Sequence, residues 1–366
     1  MPDQDGSWLV RLLLWFLKLL GVKELPPKEP EATDEGKIFP RDPTPPSRPE
    51  EGLETNGSGR VTTDPDAEPT PEPEEPAMTY DLKFNDYLIP HEPGHATCNW
   101  PDDMPVAVTW HWTAGWTNKS CRDVIGGSNP TRKGKASAHV CIGRSFEEGI
   151  DRYVPLERAS YHAGVNQTLR WDGQPKTKRA EQGALTAVGI ETTNVGYERS
   201  GVPAKEDWVL AASENGNVEW KIQPWTEEQI EMMIAYGRYI VEKFPHIRPQ
   251  DHHGHCDICP GYKYDVETFP WRRVLQGIYP GEKILDIWTP FLLIKQRQRA
   301  LVDLGYDLGK YGPNKDGIDG DWGRTADGAL RQFQEDHGLV ENGYWTVFVS
   351  RTVYTELMKK GLPLPE

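Results

Sequence analysis

Two segments constrain this chain more than any others. Val-Ala-Val-Thr-Trp-His-Trp-Thr-Ala-Gly spans 106–115, and His-Cys-Asp-Ile-Cys-Pro-Gly-Tyr-Lys-Tyr-Asp spans 255–265. The first opens as an apolar, β-branched run, the signature of a strand, and delivers His111 near its end. The second is a Pro/Gly-bearing loop that carries His255 and Asp265. Two imidazoles and one carboxylate form a three-ligand set that leaves a fourth tetrahedral position on Zn²⁺ open for water. That is the make-up of a hydrolytic metal site rather than a structural one. A fold that uses it must bring a strand end against a distant loop.

The chain has 366 residues, room for two domains and further material. Its hydrophobic content of 37% is low for one compact globule, so part of it is expected not to pack. The charge is uneven. Residues 1–81 hold 18 Asp/Glu against 8 Lys/Arg, and the remainder 38 against 33. The acidity belongs mainly to the N-terminal stretch. No basic stripe with interleaved aromatics exists, which argues against nucleic acid as a partner. Five cysteines (Cys98, Cys121, Cys141, Cys256 and Cys259) are too few and too scattered for a disulfide scaffold. Cys256-x-x-Cys259 has no second such pair to complete a four-sulfur site, so these read as buried or loop thiols.

Residues 1–21 read as an amphipathic N-terminal helix. Within 8–20, Arg11 and Lys18 share one face and the rest of the circumference is apolar. Thirteen helical residues reach about 20 Å, short of the roughly 30 Å hydrocarbon core. Asp3 and Asp5 replace the basic start of a secretory signal, and no small-x-small cleavage site follows. The expectation is a helix lying in a membrane interface or docked on a protein partner. Residues 22–79 read as a disordered Pro/Glu-rich linker: thirteen prolines fall between Pro26 and Pro76. Such a stretch cannot bury enough apolar surface to offset chain entropy.

Residues 80–280 read as one α/β domain, a mixed central sheet flanked by helices. Val106–Thr109, Ala138–Ile142, Ile150–Val154 and Ala187–Thr192 are strand-like, the last with Glu191 near its end. Thr226-Glu-Glu-Gln starts a helix by a capping box and runs to about Phe244. Residues 195–223 read as an irregular insertion. Residues 286–360 read as a small all-α domain of three helices, near 290–304, 325–337 and 347–359. The acidic run from Asp316 to Asp321 between them lacks EF-hand spacing, since its twelfth residue is Asp327 and not Glu.

His-Trp-Thr-Ala-Gly (111–115), Ser-Ala-His-Val (137–140), Tyr-His-Ala-Gly (161–164), Val-Gly-Ile-Glu-Thr-Thr-Asn (188–194) and His-x3-Cys-Pro-Gly-x-Lys-x-Asp (255–265) occur in order, followed by Phe269-Pro-Trp. Together they resemble the type-2 N-acetylmuramoyl-L-alanine amidases, relatives of the peptidoglycan recognition proteins. Gln298, Leu301, Leu304-Gly-Tyr, Asp319-Gly-x2-Gly-x-Thr325, Ala329-Leu-x2-Phe-Gln334, Gly338-Leu and Gly343 resemble the peptidoglycan-binding type-1 helical module. The resemblance implies zinc on His111, His255 and Asp265. It implies that Glu191 polarises the zinc-bound water and that Lys263 stabilises the oxyanion. His139, His162 and Asn194 are expected to line the substrate groove; for the two histidines, orienting the metal ligands and plain core packing are the alternatives. Trp110, Trp112 and Trp116 either stack on sugar or pack the strand. His252 and His253 read as bystanders. Val266 stands where the family usually has Pro, which is expected to loosen the loop without removing a ligand.

The reaction implied is hydrolysis of the amide between N-acetylmuramic acid and L-alanine, with bacterial peptidoglycan as partner and the cell wall, periplasmic or extracellular, as the place of action. A phage endolysin is the setting expected from a wall-cutting and a wall-binding domain in one chain. The competing readings are a bacterial autolysin or remodelling amidase held at a membrane by residues 8–20, a non-catalytic recognition module, and a virion-associated wall-binding protein.

Overall fold

The computed structural model describes residues 82–90, 97–100, 104–125, 136–163, 186–213 and 218–366. The expected N-terminal helix and linker lie outside these residues. No described helix is long and apolar enough to cross a membrane.

A six-stranded mixed sheet organises the first part. Its strands are β1 (Phe84–Asp86), β3 (Ala107–Trp112), β4 (Val140–Ile142), β5 (Ile150–Arg152), β7 (Ala187–Thr192) and β10 (His252–Gly254), in the order β1-β5-β4-β7-β3-β10. The pairs β4–β7, β7–β3 and β3–β10 are parallel, and β4–β5 is antiparallel. Interior strands of such a sheet are covered on both faces and read as continuous apolar runs. All six residues of β3 are buried accordingly. β2 (Thr97–Asn99) and β6 (Arg158–Ser160) form a separate antiparallel pair.

One sheet face carries the main core. Val108, Trp110, Val140, Ile142, Val188 and Ile190 pack there with Met233, Ile234 and Ile240 of helix α2 (Glu227–Lys243). Thr226 caps α2 as expected, its hydroxyl accepting from Gln229 N–H at 3.1 Å. Helix α4 (Trp271–Ile278) adds Val274, Leu275 and Ile278. The two helices approach closely through glycines: a Cβ at Gly237 would sit 2.3 Å from Ile278, and one at Gly277 would sit 2.7 Å from Ile234. The opposite face is covered by α1 (Asn118–Ile125), which contributes Cys121 beside Cys141 and Tyr153. It also carries the polar groups described below.

The 195–223 insertion is not irregular throughout. It holds a hairpin, β8 (Val209–Ala212) and β9 (Glu219–Ile222), in antiparallel register. The hairpin meets the start of helix α5 (Ile294–Leu304), which is followed by α6 (Arg324–Asp336) and α7 (Val347–Lys359). These three pack their own core of Leu301, Leu330, Phe333, Trp345, Val353 and Leu357. Arg297 of α5 is 3% exposed and donates to the carbonyls of Ala212, Ser213 and Phe291 at 2.9–3.0 Å. Ala212 N–H donates to Leu292 O at 2.7 Å, and Ile294 N–H to the Glu219 carboxylate at 2.8 Å. Trp271 and Trp288 stack across the same junction. A buried guanidinium needs its donors satisfied, and backbone carbonyls at a hairpin end supply acceptors without a counter-charge.

Buried neutral imidazoles make the fold sensitive to acid. Burial holds His139 down to about 4 and His252 down to about 3. An exposed histidine titrates near 6.5. Below that value the unfolded chain therefore binds more protons than the folded one. The stability these rings contribute is complete above pH 6.5 and is lost as pH falls towards their folded values. At about 1.4 kcal/mol per pKa unit, each ring accounts for roughly 3 kcal/mol by pH 4. In metal-free protein, His252→Gln should melt lower than wild type at pH 7 but lose less stability between pH 7 and 4.5. An unchanged pH slope would refute the assignment.

Candidate metal centre

His111 is the fifth residue of β3, and Glu191 stands directly across from it on β7. The segment from 255 onward is not wholly loop. It opens with a one-turn helix, α3 (His255–Ile258), directly after β10. Because β10 runs parallel beside β3, the end of one strand and the start of that turn meet. The chain then folds back, and Cys256 N–H donates to Asp265 O at 2.6 Å, which brings the second and third ligand candidates together.

The result is a buried group of His111, His255 and Asp265 whose donor atoms lie within 4.8 Å of one another. Asp265 Oδ2 stands 3.0 Å from His111 Nδ1 and 3.1 Å from His255 Nδ1. The far ring nitrogens fix the tautomers. His162 donates Nε2–H to Ala187 O at 3.0 Å, so its Nδ1 accepts from His111 Nε2–H at 2.9 Å. His255 donates Nε2–H to Ala163 O at 3.3 Å. In neutral rings so placed, both Nδ1 atoms are bare lone pairs turned towards a carboxylate oxygen. Three buried lone-pair donors facing one another repel unless a cation sits among them. The donor set therefore fits a divalent metal, and the outer hydrogen bonds are of the kind that orient metal-bound histidines.

The electrostatics agree. Burial, and then the charge of His255, hold His111 down to about 4, so its neutral form prevails near neutrality. Burial pushes Asp265 up, but positive charge at the neighbouring imidazole positions outweighs it and holds the carboxyl well below the usual carboxylate range, the direction in which a cation among the three donors would also act. Burial, followed by the negative charge of Asp265, raises Glu191 well above its ordinary value; Lys263 pulls against both. Glu191 Oε2 is buried and has no hydrogen-bond partner among the described residues. Lys263 is half-buried on the turn between His255 and Asp265.

Two residues expected in the groove face inward instead. His139 is fully buried: its Nδ1 receives Gly189 N–H and the Ser160 hydroxyl, its Nε2–H goes to Arg158 O, and its ring stacks on Trp100. Asn194 is also fully buried, donating to Gln223 O and accepting from Gly196 N–H. With every polar atom taken, neither presents a group to a substrate. His162 is half-buried and touches His111 directly. Trp110 packs the core and Trp116 is exposed. Val266, expected to loosen its loop, is 2% exposed and belongs to the main core. Sequence reasoning missed Asp257, whose carboxylate receives Gly254 N–H. The spacing from Gly254 to Asp257, helix cap to third helical residue, was the available signal.

A mixed α/β sheet brings two imidazoles and a carboxylate together at its strand ends, a donor set compatible with a divalent ion. Two segments of the chain match known protein families. Residues 101–266 match the family described as N-acetylmuramoyl-L-alanine amidase, and residues 293–347 match a peptidoglycan binding domain family. The chain is 27% identical over 140 residues to the 1,6-anhydro-N-acetylmuramyl-L-alanine amidase AmpD of Escherichia coli strain K12, a match covering 38% of this chain and 56% of that protein. Similar solved structures include the E. coli amidase AmiD in complex with anhydro-N-acetylmuramic acid-L-Ala-D-gamma-Glu-L-Lys (19% identity, TM-score 0.38, 71% of this chain and 92% of the other). AmpDh3 of Pseudomonas aeruginosa is another (19% identity, TM-score 0.39, 70% and 92%).

Proposed function

We propose that residues 80–280 hydrolyse the amide between N-acetylmuramic acid and L-alanine in bacterial peptidoglycan, and that residues 286–360 hold the enzyme on the wall. The observation that carries this reading is the buried His111–His255–Asp265 group with Glu191 across the sheet from His111. The family match of residues 101–266 supports the choice of bond. Two imidazoles and one carboxylate favour zinc as the ion. Bound there, it would polarise the carbonyl and lower the pKa of water towards about 7.

The remaining work falls to the chain. Glu191 accepts the proton of the attacking water and passes it to the departing L-alanine nitrogen, a role typically worth 10²–10⁴ in rate. Its unpartnered buried oxygen is suited to that exchange. Lys263 offsets the charge developing on the carbonyl oxygen. His162 holds His111 in the tautomer that leaves Nδ1 bare. A wall-cutting domain joined to a wall-binding one fits a lytic enzyme of phage origin, acting at the cell wall.

Digestion of purified peptidoglycan, followed by mass analysis, tests this. New free amino groups on L-alanine are expected, lost with EDTA and restored by zinc. New reducing sugars would point to glycosidase chemistry. Binding without any cleavage would leave a recognition module.

A further inference from the structure

We propose that the C-terminal helices hold the metal-ligand turn in shape, with Asp257 as the positioning residue that joins the two; this rests on the metal reading above. Asp257 is the third residue of α3, whose first residue is His255. Its Oδ2 accepts Gly254 N–H at 2.7 Å, which closes the turn on which His255 sits. Its Oδ1 accepts Val347 N–H, also at 2.7 Å. Val347 is the first residue of α7, and both partners are about 2% exposed. A helix N-terminus carries unsatisfied N–H groups and partial positive charge, so a carboxylate placed there is held by both. Arg351, one turn further along α7, is half-buried, and the charges of Asp257 and Asp251 act on it.

One carboxylate thus links the start of α7 to the turn bearing His255. The bond from Cys256 N–H to Asp265 O extends the link to the third ligand. In this arrangement the C-terminal part is a piece of the active-site scaffold and not only an anchor.

The test removes a single N–H. Proline is tolerated at the first position of a helix, where its fixed φ suits and its missing N–H breaks no bond within the helix. Thr346 before it is extended (φ −91°, ψ 172°), as a residue preceding proline must be. Val347→Pro in the full chain therefore removes the donor to Asp257 and leaves α7 intact. Val347→Ala keeps the N–H and controls for lost packing. Val347→Pro is expected to bind zinc about tenfold more weakly than Val347→Ala, the lower end of the range for groups that support ligands. Its cobalt-loaded form should show shifted visible bands. In metal-free protein its Gly254 amide should exchange hydrogen faster than in the alanine variant. Asp257→Asn, which turns an amide NH₂ towards one of the two N–H donors, should weaken zinc at least as much. Equal zinc affinity and equal Gly254 exchange in the two Val347 variants would overturn the proposal. A wild-type chain that binds no divalent ion would instead overturn the metal reading itself.

Discussion

Glu191→Ala is expected to retain its metal and to lose turnover by about 10²–10⁴-fold, the usual contribution of a positioned general base. The separation of the two effects follows from the geometry. Glu191 is not among the three converging donors, which belong to His111, His255 and Asp265. It stands beside them, one strand over, with one oxygen buried and unpartnered. Removing it relieves negative charge near Asp265 and takes nothing from the ligand set. Zinc content measured by atomic emission should stay at wild-type stoichiometry while kcat on a soluble muropeptide collapses and KM changes little. Glu191→Gln should behave the same way, since it keeps the shape and loses only the basic oxygen. Normal turnover in either variant would remove Glu191 from the mechanism.

Gly189→Ala is the second large effect. A Cβ on residue 189 would lie 2.3 Å from Cγ and 2.4 Å from Cδ2 of His162, distances no packed side chain tolerates. The imidazole has to move, and with it go its contacts to Ala187 O and His111 Nε2. Overpacking of this kind costs about 1–3 kcal/mol, readable as a shift in urea midpoint. The larger consequence is chemical. Without His162 as acceptor, nothing keeps the His111 proton on Nε2, and its migration to Nδ1 would block the ligand atom. Zinc affinity should fall by about 10–100-fold, as for other partners that orient metal histidines. Pairing the change with His162→Gly, which also takes away the Cβ that would stand 2.8 Å from the new methyl, should recover stability by removing the clash yet leave zinc weak. Wild-type affinity in Gly189→Ala would show that His162 does not set the tautomer.

Much of the centre could be read from the sequence because its parts are local. Ala187–Thr192 is an apolar run bounded by polar neighbours, and the strand occupies those six residues. β3 runs on through His111 to Trp112, past the predicted end at Thr109, because the sheet on either side continues to pair. The three donors were legible from residue type, although only the parallel pairing of β10 with β3 brings them together. What sequence could not supply was orientation. His139 and Asn194 lie within motifs shared with the family, but whether a polar side chain points to solvent or to backbone groups depends on neighbours such as Gly189, Arg158 and Gln223. The hairpin at 209–222 was hidden for a related reason. Val209 and Leu210 are exposed, Glu219 and Lys221 are polar, and the pairing is completed by contacts with a helix far along the chain.

The Arg297 junction has a mechanical consequence. The Arg297 guanidinium joins the C-terminal helices to the sheet domain through buried hydrogen bonds to the Ala212 and Ser213 carbonyls rather than through a slack tether, while a third bond to Phe291 O holds it in place. On the proposed reading, grip and blade then travel as one tool. The position at which a glycan strand is held would dictate, like a stop on a saw bench, which stem peptide is presented for removal.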